Sequence, residues 1–107
     1  GDPCSIYNIN GGGVWTAGLD NSDSDAYVVS ANYGLGSNNR LRIDANTVGF
    51  PTLPIKVPSV AVASLPSAST VGAGSIIYVN NAAVAPCLAF SNGSTWKRCD
   101  NAATDVS

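Results

Sequence analysis

The sequence has no histidine and no methionine, and it contains neither glutamate nor glutamine, so all seven acids are aspartates. Lysine and arginine together number only five, while 11 glycines and 6 prolines interrupt regular helix. Most residues that sustain helices are therefore missing, which predicts an all-β chain with no helix longer than about two turns. The lack of histidine and glutamate also leaves aspartates and thiols as the only general bases. They form no recognisable catalytic constellation, so a small hydrolase is the weakest functional reading and no enzyme is expected. Three cysteines without histidine fall short of the usual ligand set of a structural zinc site, and no cofactor is expected.

Charge is scarce too. Charged residues make up 11% of the chain and its net charge is -2. The basic residues form no patch beyond Arg40 with Arg42 and Lys97 with Arg98, which argues against a nucleic-acid surface. No run approaches the roughly 20 apolar residues of a membrane helix. Nor does the front of the chain carry the basic, apolar and cleavage segments of a signal peptide. The chain begins at Gly1 without methionine and is read as processed or, in preference, as a fragment of something longer. Large side chains are few, with Trp 2, Tyr 4 and Phe 2, and much of the 45% hydrophobic content is alanine and valine. Small side chains bury little area each, so a lone chain of 107 residues has a thin core, and burying strand faces against copies of itself is the remedy.

What is present is best specified between Ser75 and Cys99. The runs SIIYV, PCLAF and TWKRC are rich in β-branched and aromatic residues and separated by turn formers, which predicts a three-stranded meander over 75–99. Asn92-Gly93 is its strongest turn signal, matching a type I′ hairpin tip. Asn92-Gly93-Ser94 also matches a glycosylation sequon, but its weight here is as a turn. A two-residue turn sets Cys87 opposite Arg98 and leaves Cys99 on the other face, where no disulfide closes, because the Cβ atoms must come within about 4 Å. A longer loop or a bulge shifts one strand and restores the match. The favoured expectation is a Cys87–Cys99 bridge with Cys4 left over, in an oxidising setting.

Upstream, residues 1–13 (GDPCSIYNINGGG) read as a flexible lead. Its glycine run reads as a flexible joint or tight turn, and lacks the following helix and lysine of a phosphate loop. Residues 14–50 read as a β module. Trp15, Ala17 and Leu19 share one face, with Trp15 taken as core; Tyr27, Val29 and Ala31 share another. In RLRIDA, Leu41, Ile43 and Ala45 alternate with Arg40, Arg42 and Asp44, which predicts one buried and one wet face. In DNSDSD, Asp20, Asp23 and Asp25 are oxygen donors within one turn. The stretch lacks the Gly and Glu of an EF-hand loop, and hydrogen-bonded Asx turns account for it as well. Residues 51–74 read as an extended connector: Pro51, Pro54 and Pro58 remove backbone donors. Its apolar Ile55, Val57, Val60 and Val62 are expected to pack on a neighbouring copy, winding around the axis of a trimer. Residues 100–107 read as a polar tail.

Two of these stretches carry a resemblance. WTAGLDNSDSDAYVVSANYGLGSNNRLRIDANTVGF resembles a module of bacteriophage tail fibres and related virion adhesins, of the form W-x-x-G-x-D-N-S-D-S-D-A-[FY]…L-x-I-D…G-x-V-G. SLPSASTVGAGSIIYVNNAAVAPCLAFSNGSTWKRC is similar to a second fibre unit, in which G-[ST]-I-[IA]-Y-V precedes an L-A-F-S-[ND]-G-x-x-W hairpin. Val48-Gly49-Phe50 departs from the family by running straight into the proline stretch, and Cys87 and Cys99 are no fixed part of the hairpin unit. The resemblance implies non-enzymatic antiparallel β modules intertwined as a homotrimer, in an extracellular virion protein that serves attachment to the host cell. Implied partners are other virion tail proteins and a host surface glycan or protein. Trp96 and Tyr33 become candidate receptor contacts, and Leu41, Ile43, Ile55, Val57, Val60 and Val62 candidate trimer contacts. The alternative is a secreted β-type carbohydrate-binding module or bacterial surface adhesin, whose exposed Trp and Tyr stack on sugar faces.

Overall fold

The glycine run near the start is the turn of a hairpin. In the computed structural model, which describes residues 1–107, β1 (Cys4–Asn8) pairs antiparallel with β2 (Val14–Asp20). The Gly12 N–H closes the turn on the Ile9 carbonyl at 2.7 Å, with Gly11 in the left-handed region at φ 77°, where a Cβ would be strained. β3 (Ala26–Ser30), β4 (Asn39–Ile43) and β5 (Val48–Gly49) follow, each antiparallel to its predecessor. The first unit, Gly1–Ile55, is thus a five-stranded sheet in sequence order. Residues 4–8 are an edge strand here, which corrects the expectation of a flexible lead: they satisfy the open edge of β2, and the Leu19 N–H adds a bond to the Pro3 carbonyl at 3.0 Å.

One side of this sheet is closed over by polar groups that satisfy one another. Thr16, Asp20, Ala26, Val28 and Ser30 are buried. The Thr16 hydroxyl donates to the Asn32 carbonyl (2.7 Å) and the Ser30 hydroxyl to Asn39 Oδ1 (2.6 Å). Asp20 Oδ1 accepts from the Ser22 N–H (3.0 Å) and hydroxyl (2.6 Å). No buried side-chain polar atom lacks a partner, so burying this polar side carries little desolvation cost.

The second unit, Lys56–Ser107, holds β6 (Ser59–Val60), one helical turn α1 (Ala68–Val71), β7 (Ile76–Val79), β8 (Cys87–Ser91) and β9 (Trp96–Arg98). Its sheet runs β6-β7-β8-β9, with β6 parallel to β7 and the rest a meander. Period-two alternation sends Ile77 and Val79, then Cys87 and Ala89, then Trp96 inward, where they meet Ala68, Ala82 and Val106. Ser67 caps α1 by accepting from the Thr70 N–H, and the Ser91 hydroxyl donates to the Ala68 carbonyl at 2.7 Å.

Residues 59–71, expected within an extended connector, thus form a strand, a tight turn and a helical turn, with Val60, Val62 and Leu65 packed on the core. The prolines allow this because all three precede β6, where no ladder donor is needed. Residues 100–107 likewise fold back on the β9 edge. Asp105 bridges Lys97, the Val106 N–H donates to the Trp96 carbonyl at 3.2 Å, and Val106 is buried.

The hairpin turn corrects the disulfide. Ser91 pairs with Trp96, so the loop is Asn92–Thr95, four residues long. Asn92 Oδ1 braces it by accepting from the Ser94 and Thr95 N–H groups at 2.9 and 2.8 Å. Relative to a two-residue turn the register moves by two, and an even shift returns every side chain to the same face. Cys99 lies beside Leu88, donating its N–H to that carbonyl at 3.0 Å, and is exposed, whereas Cys87 sits in the core. All three cysteines are free. Alkylation of the folded, unreduced protein is accordingly expected to label Cys4 and Cys99 rapidly and Cys87 only on unfolding. A mapped Cys87–Cys99 peptide would overturn this register.

Candidate functional site

The face of the first sheet opposite its polar interior is continuous and apolar. Tyr7 pairs with Trp15, Ala17 lies between Ser5 and Val29, and Leu19 pairs with Tyr27. Val29 in turn pairs with Leu41, Tyr27 with Ile43, and Ile43 with Val48. Alternation puts all ten side chains on one side of five strands, with no charge among them. Relative exposure is 63% for Tyr7, 44% for Trp15, 43% for Leu19, 42% for Tyr27 and 67% for Val48. Ala17, Val29, Leu41 and Ile43 are half-buried. A shallow groove of about 400 Å³ crosses this face, lined by Ser5, Tyr7, Ala17, Leu19 and Tyr27 together with Pro3, Cys4 and Gly18.

The charged groups of this unit are committed elsewhere. Arg42 makes a two-pronged bond to Asp23, at 2.6 Å from Nε and 2.8 Å from the terminal nitrogen, and also pairs with Asp44. Asp44 additionally braces the β4–β5 turn by accepting from the Asn46 and Thr47 N–H groups, each at 2.8 Å. These bonds to backbone N–H groups, with the Arg42 guanidinium, hold the Asp44 carboxyl well below its ordinary range, and Arg42 lowers Asp23 in the same way. In the second unit Arg98 lowers Asp100, and Lys97 lowers Asp105. No three His, Cys, Asp or Glu groups converge to hold a metal.

A carboxyl whose folded pKa lies below its unfolded value contributes stability that is present above the unfolded value and lost as pH falls. All four shifts have that sign. The thermal midpoint is therefore expected to stay level from neutrality to about pH 5 and to drop below about pH 4, where unfolded aspartates begin to protonate. Asp44→Asn should flatten that drop; a midpoint that rises on acidification would contradict the ion pairs.

Comparison of the chain with family models, characterised proteins and solved structures found no match. Its functional reading therefore rests on residues and geometry.

The structure redistributes the residues singled out from the sequence. Trp96, a candidate receptor contact, is 7% exposed and donates its indole N–H to the Pro66 carbonyl at 2.8 Å. It is core, because β9 turns that phase inward. Trp15, expected in the core, is the exposed tryptophan. Tyr33 is exposed in the β3–β4 loop, its hydroxyl accepting from Asn8 Nδ2 at 2.9 Å. Leu41 and Ile43 lie on the apolar face. Ile55 is exposed and Val57 half-buried, while Val60 and Val62 are half-buried and pack on their own unit's core. Asp20, Asp23 and Asp25 serve separate ends: a buried cap, an ion pair, and a left-handed turn residue at φ 59°. Sequence reasoning missed Tyr7, Leu19, Tyr27 and Val48 as surface residues. The signal was available in the opposite phase, where Thr16, Asp20, Ser30 and Arg42 are groups able to pair with the loops and with each other.

Proposed function

We propose that this chain is a structural and adhesive segment of a virion tail fibre or spike, assembling as a homotrimer and serving attachment to the host cell surface. The observation that carries the reading is the inside-out distribution of the first sheet, with polar groups buried and an uncharged apolar face left open. Tyr7, Trp15, Leu19, Tyr27 and Val48 together expose a few hundred Å² of mostly apolar surface. That is the scale of the largest apolar patch on an ordinary monomer, and such patches commonly mark interaction sites. Being uncharged, the face meets a copy of itself without repulsion. Burial against copies also offsets the thin interior, whose largest fully buried apolar side chains are the valines Val28 and Val79. Leu41 and Ile43, candidate trimer contacts from the sequence, lie on this face. Tyr7, Trp15, Leu19, Tyr27 and Val48 join them. The second support is the resemblance of the stretch from Trp15 to Phe50 to a tail-fibre module.

The groove between Tyr7 and Tyr27 favours a second reading, a carbohydrate-binding module in which the rings stack on sugar faces. Sedimentation equilibrium separates the two. A trimer at micromolar concentration that Ile43→Asp converts to monomer supports the fibre segment. A monomeric wild type removes it, and glycan binding by that monomer supports the module.

A further inference from the structure

The chain contains two Asn-Gly pairs, Asn10-Gly11 and Asn92-Gly93. The fold treats them in opposite ways. We infer that Asn10 is a site of spontaneous deamidation in the folded protein, while Asn92 is protected.

The chemistry is intramolecular and needs only water. The backbone nitrogen of the glycine loses its proton and attacks the asparagine Cγ. A C–N bond forms, the side-chain amide nitrogen leaves as ammonia, and a five-membered succinimide results. Water then opens the ring at one carbonyl or the other, giving aspartate or isoaspartate. Glycine favours the attack because it has no side chain to crowd the nitrogen, so both pairs share the same intrinsic susceptibility. What differs is whether the two reacting groups are free to meet.

At Asn10 they are. Asn10 and Gly11 are the central residues of a turn closed by the Gly12 N–H on the Ile9 carbonyl. With Gly11 at φ 77° and Asn10 outside the left-handed region, this is a type II turn. Both residues are exposed. Neither the Asn10 side chain nor the Gly11 N–H makes a hydrogen bond, so turning Asn10 toward the attacking nitrogen gives up only the exposed turn bond from the Gly12 N–H to the Ile9 carbonyl. At Asn92 the same motion is opposed three times. The Gly93 N–H donates to the Ser91 hydroxyl at 3.1 Å, and Asn92 Oδ1 accepts from the Ser94 and Thr95 N–H groups. Ser91 is itself fixed in the core by its bond to the Ala68 carbonyl.

The product at position 10 is a new carboxylate, or an isoaspartate with an extra backbone methylene, at the tip of the hairpin that carries Tyr7 and Trp15. This inference does not depend on the assembly reading.

The test is peptide mapping by mass spectrometry after prolonged incubation of the full chain at mildly alkaline pH, folded and in urea, with Asn10→Gln assigning the signal. In urea the two sites should convert at similar rates. In the folded chain Asn10 should convert at close to its urea rate, and Asn92 on the order of tenfold or more slowly, given the hydrogen bonds that must break. Conversion of Asn92 as fast as Asn10 in the folded chain overturns the inference. An Asn10 that stays intact when folded but converts in urea overturns it too, and so does a chain in which neither site converts in urea.

Discussion

Replacing Trp96 by alanine is expected to cost about 3–5 kcal/mol, the range for emptying a buried aromatic site, and to unfold the second unit. Trp96 is the largest side chain of that unit's core and lies among alanines, valines, an isoleucine and a cysteine, too small to collapse into the void. The unit spans Lys56–Ser107, and a domain of its size has only about 3–8 kcal/mol to lose. Trp96→Phe keeps most of the ring but leaves the Pro66 carbonyl without its donor, and should cost about 1 kcal/mol beyond the packing change. Denaturant titration followed by circular dichroism distinguishes them. A Trp96→Ala chain as stable as wild type would mean that Trp96 belongs to the surface after all.

Gly18→Ala is expected to strip β1 from the first sheet. A Cβ at position 18 would lie 2.3 Å from the Pro3 carbonyl oxygen and 2.6 Å from the Cys4 Cα. These are backbone atoms of the neighbouring chain segment, so no side-chain rotation relieves the overlap. The strands must part, at a cost of about 3 kcal/mol or more, the upper end for overpacking. Hydrogen exchange should show Ser5–Asn8 amides losing protection while the β3–β4 pairing persists. Gly49→Ala is the control, because nothing lies within 4 Å of its Cβ position and its φ is not left-handed. It should be close to neutral. Unchanged β1 protection in Gly18→Ala would show that the edge strand has room the geometry denies.

The same glycine shows how far the chain could be read without its structure. Gly18 stands in the W-x-x-G-x-D stretch, and that stretch was legible as strand and turn. Its reason, a backbone crossing opposite Cys4, is a contact between segments fourteen residues apart and has no local signature. Asp20 and Asp23 were legible as turn formers. That one would be buried and the other would pair with Arg42, nineteen residues on, was not.

Composition and alternation determined the all-β character, the strand phases of residues 14–50 and the meander of residues 75–99. These depend on propensities and side-chain periods that each segment carries within itself. Only the tertiary structure decided which phase faces inward. In the first sheet both faces were viable, and the polar one closed because the β3–β4 loop and the Asp20–Asp25 turn supply it with hydrogen-bond partners. Tertiary structure also decided the four-residue loop that separates Cys87 from Cys99. There Ser91, bonded to the Ala68 carbonyl, and Trp96, bonded to the Pro66 carbonyl, are held as a pair across the loop against the local preference of Asn-Gly for a two-residue turn. The recruitment of residues 4–8 and 100–107 to sheet edges belongs with these. An open edge is a demand for backbone partners set by the whole sheet, and no single segment encodes it.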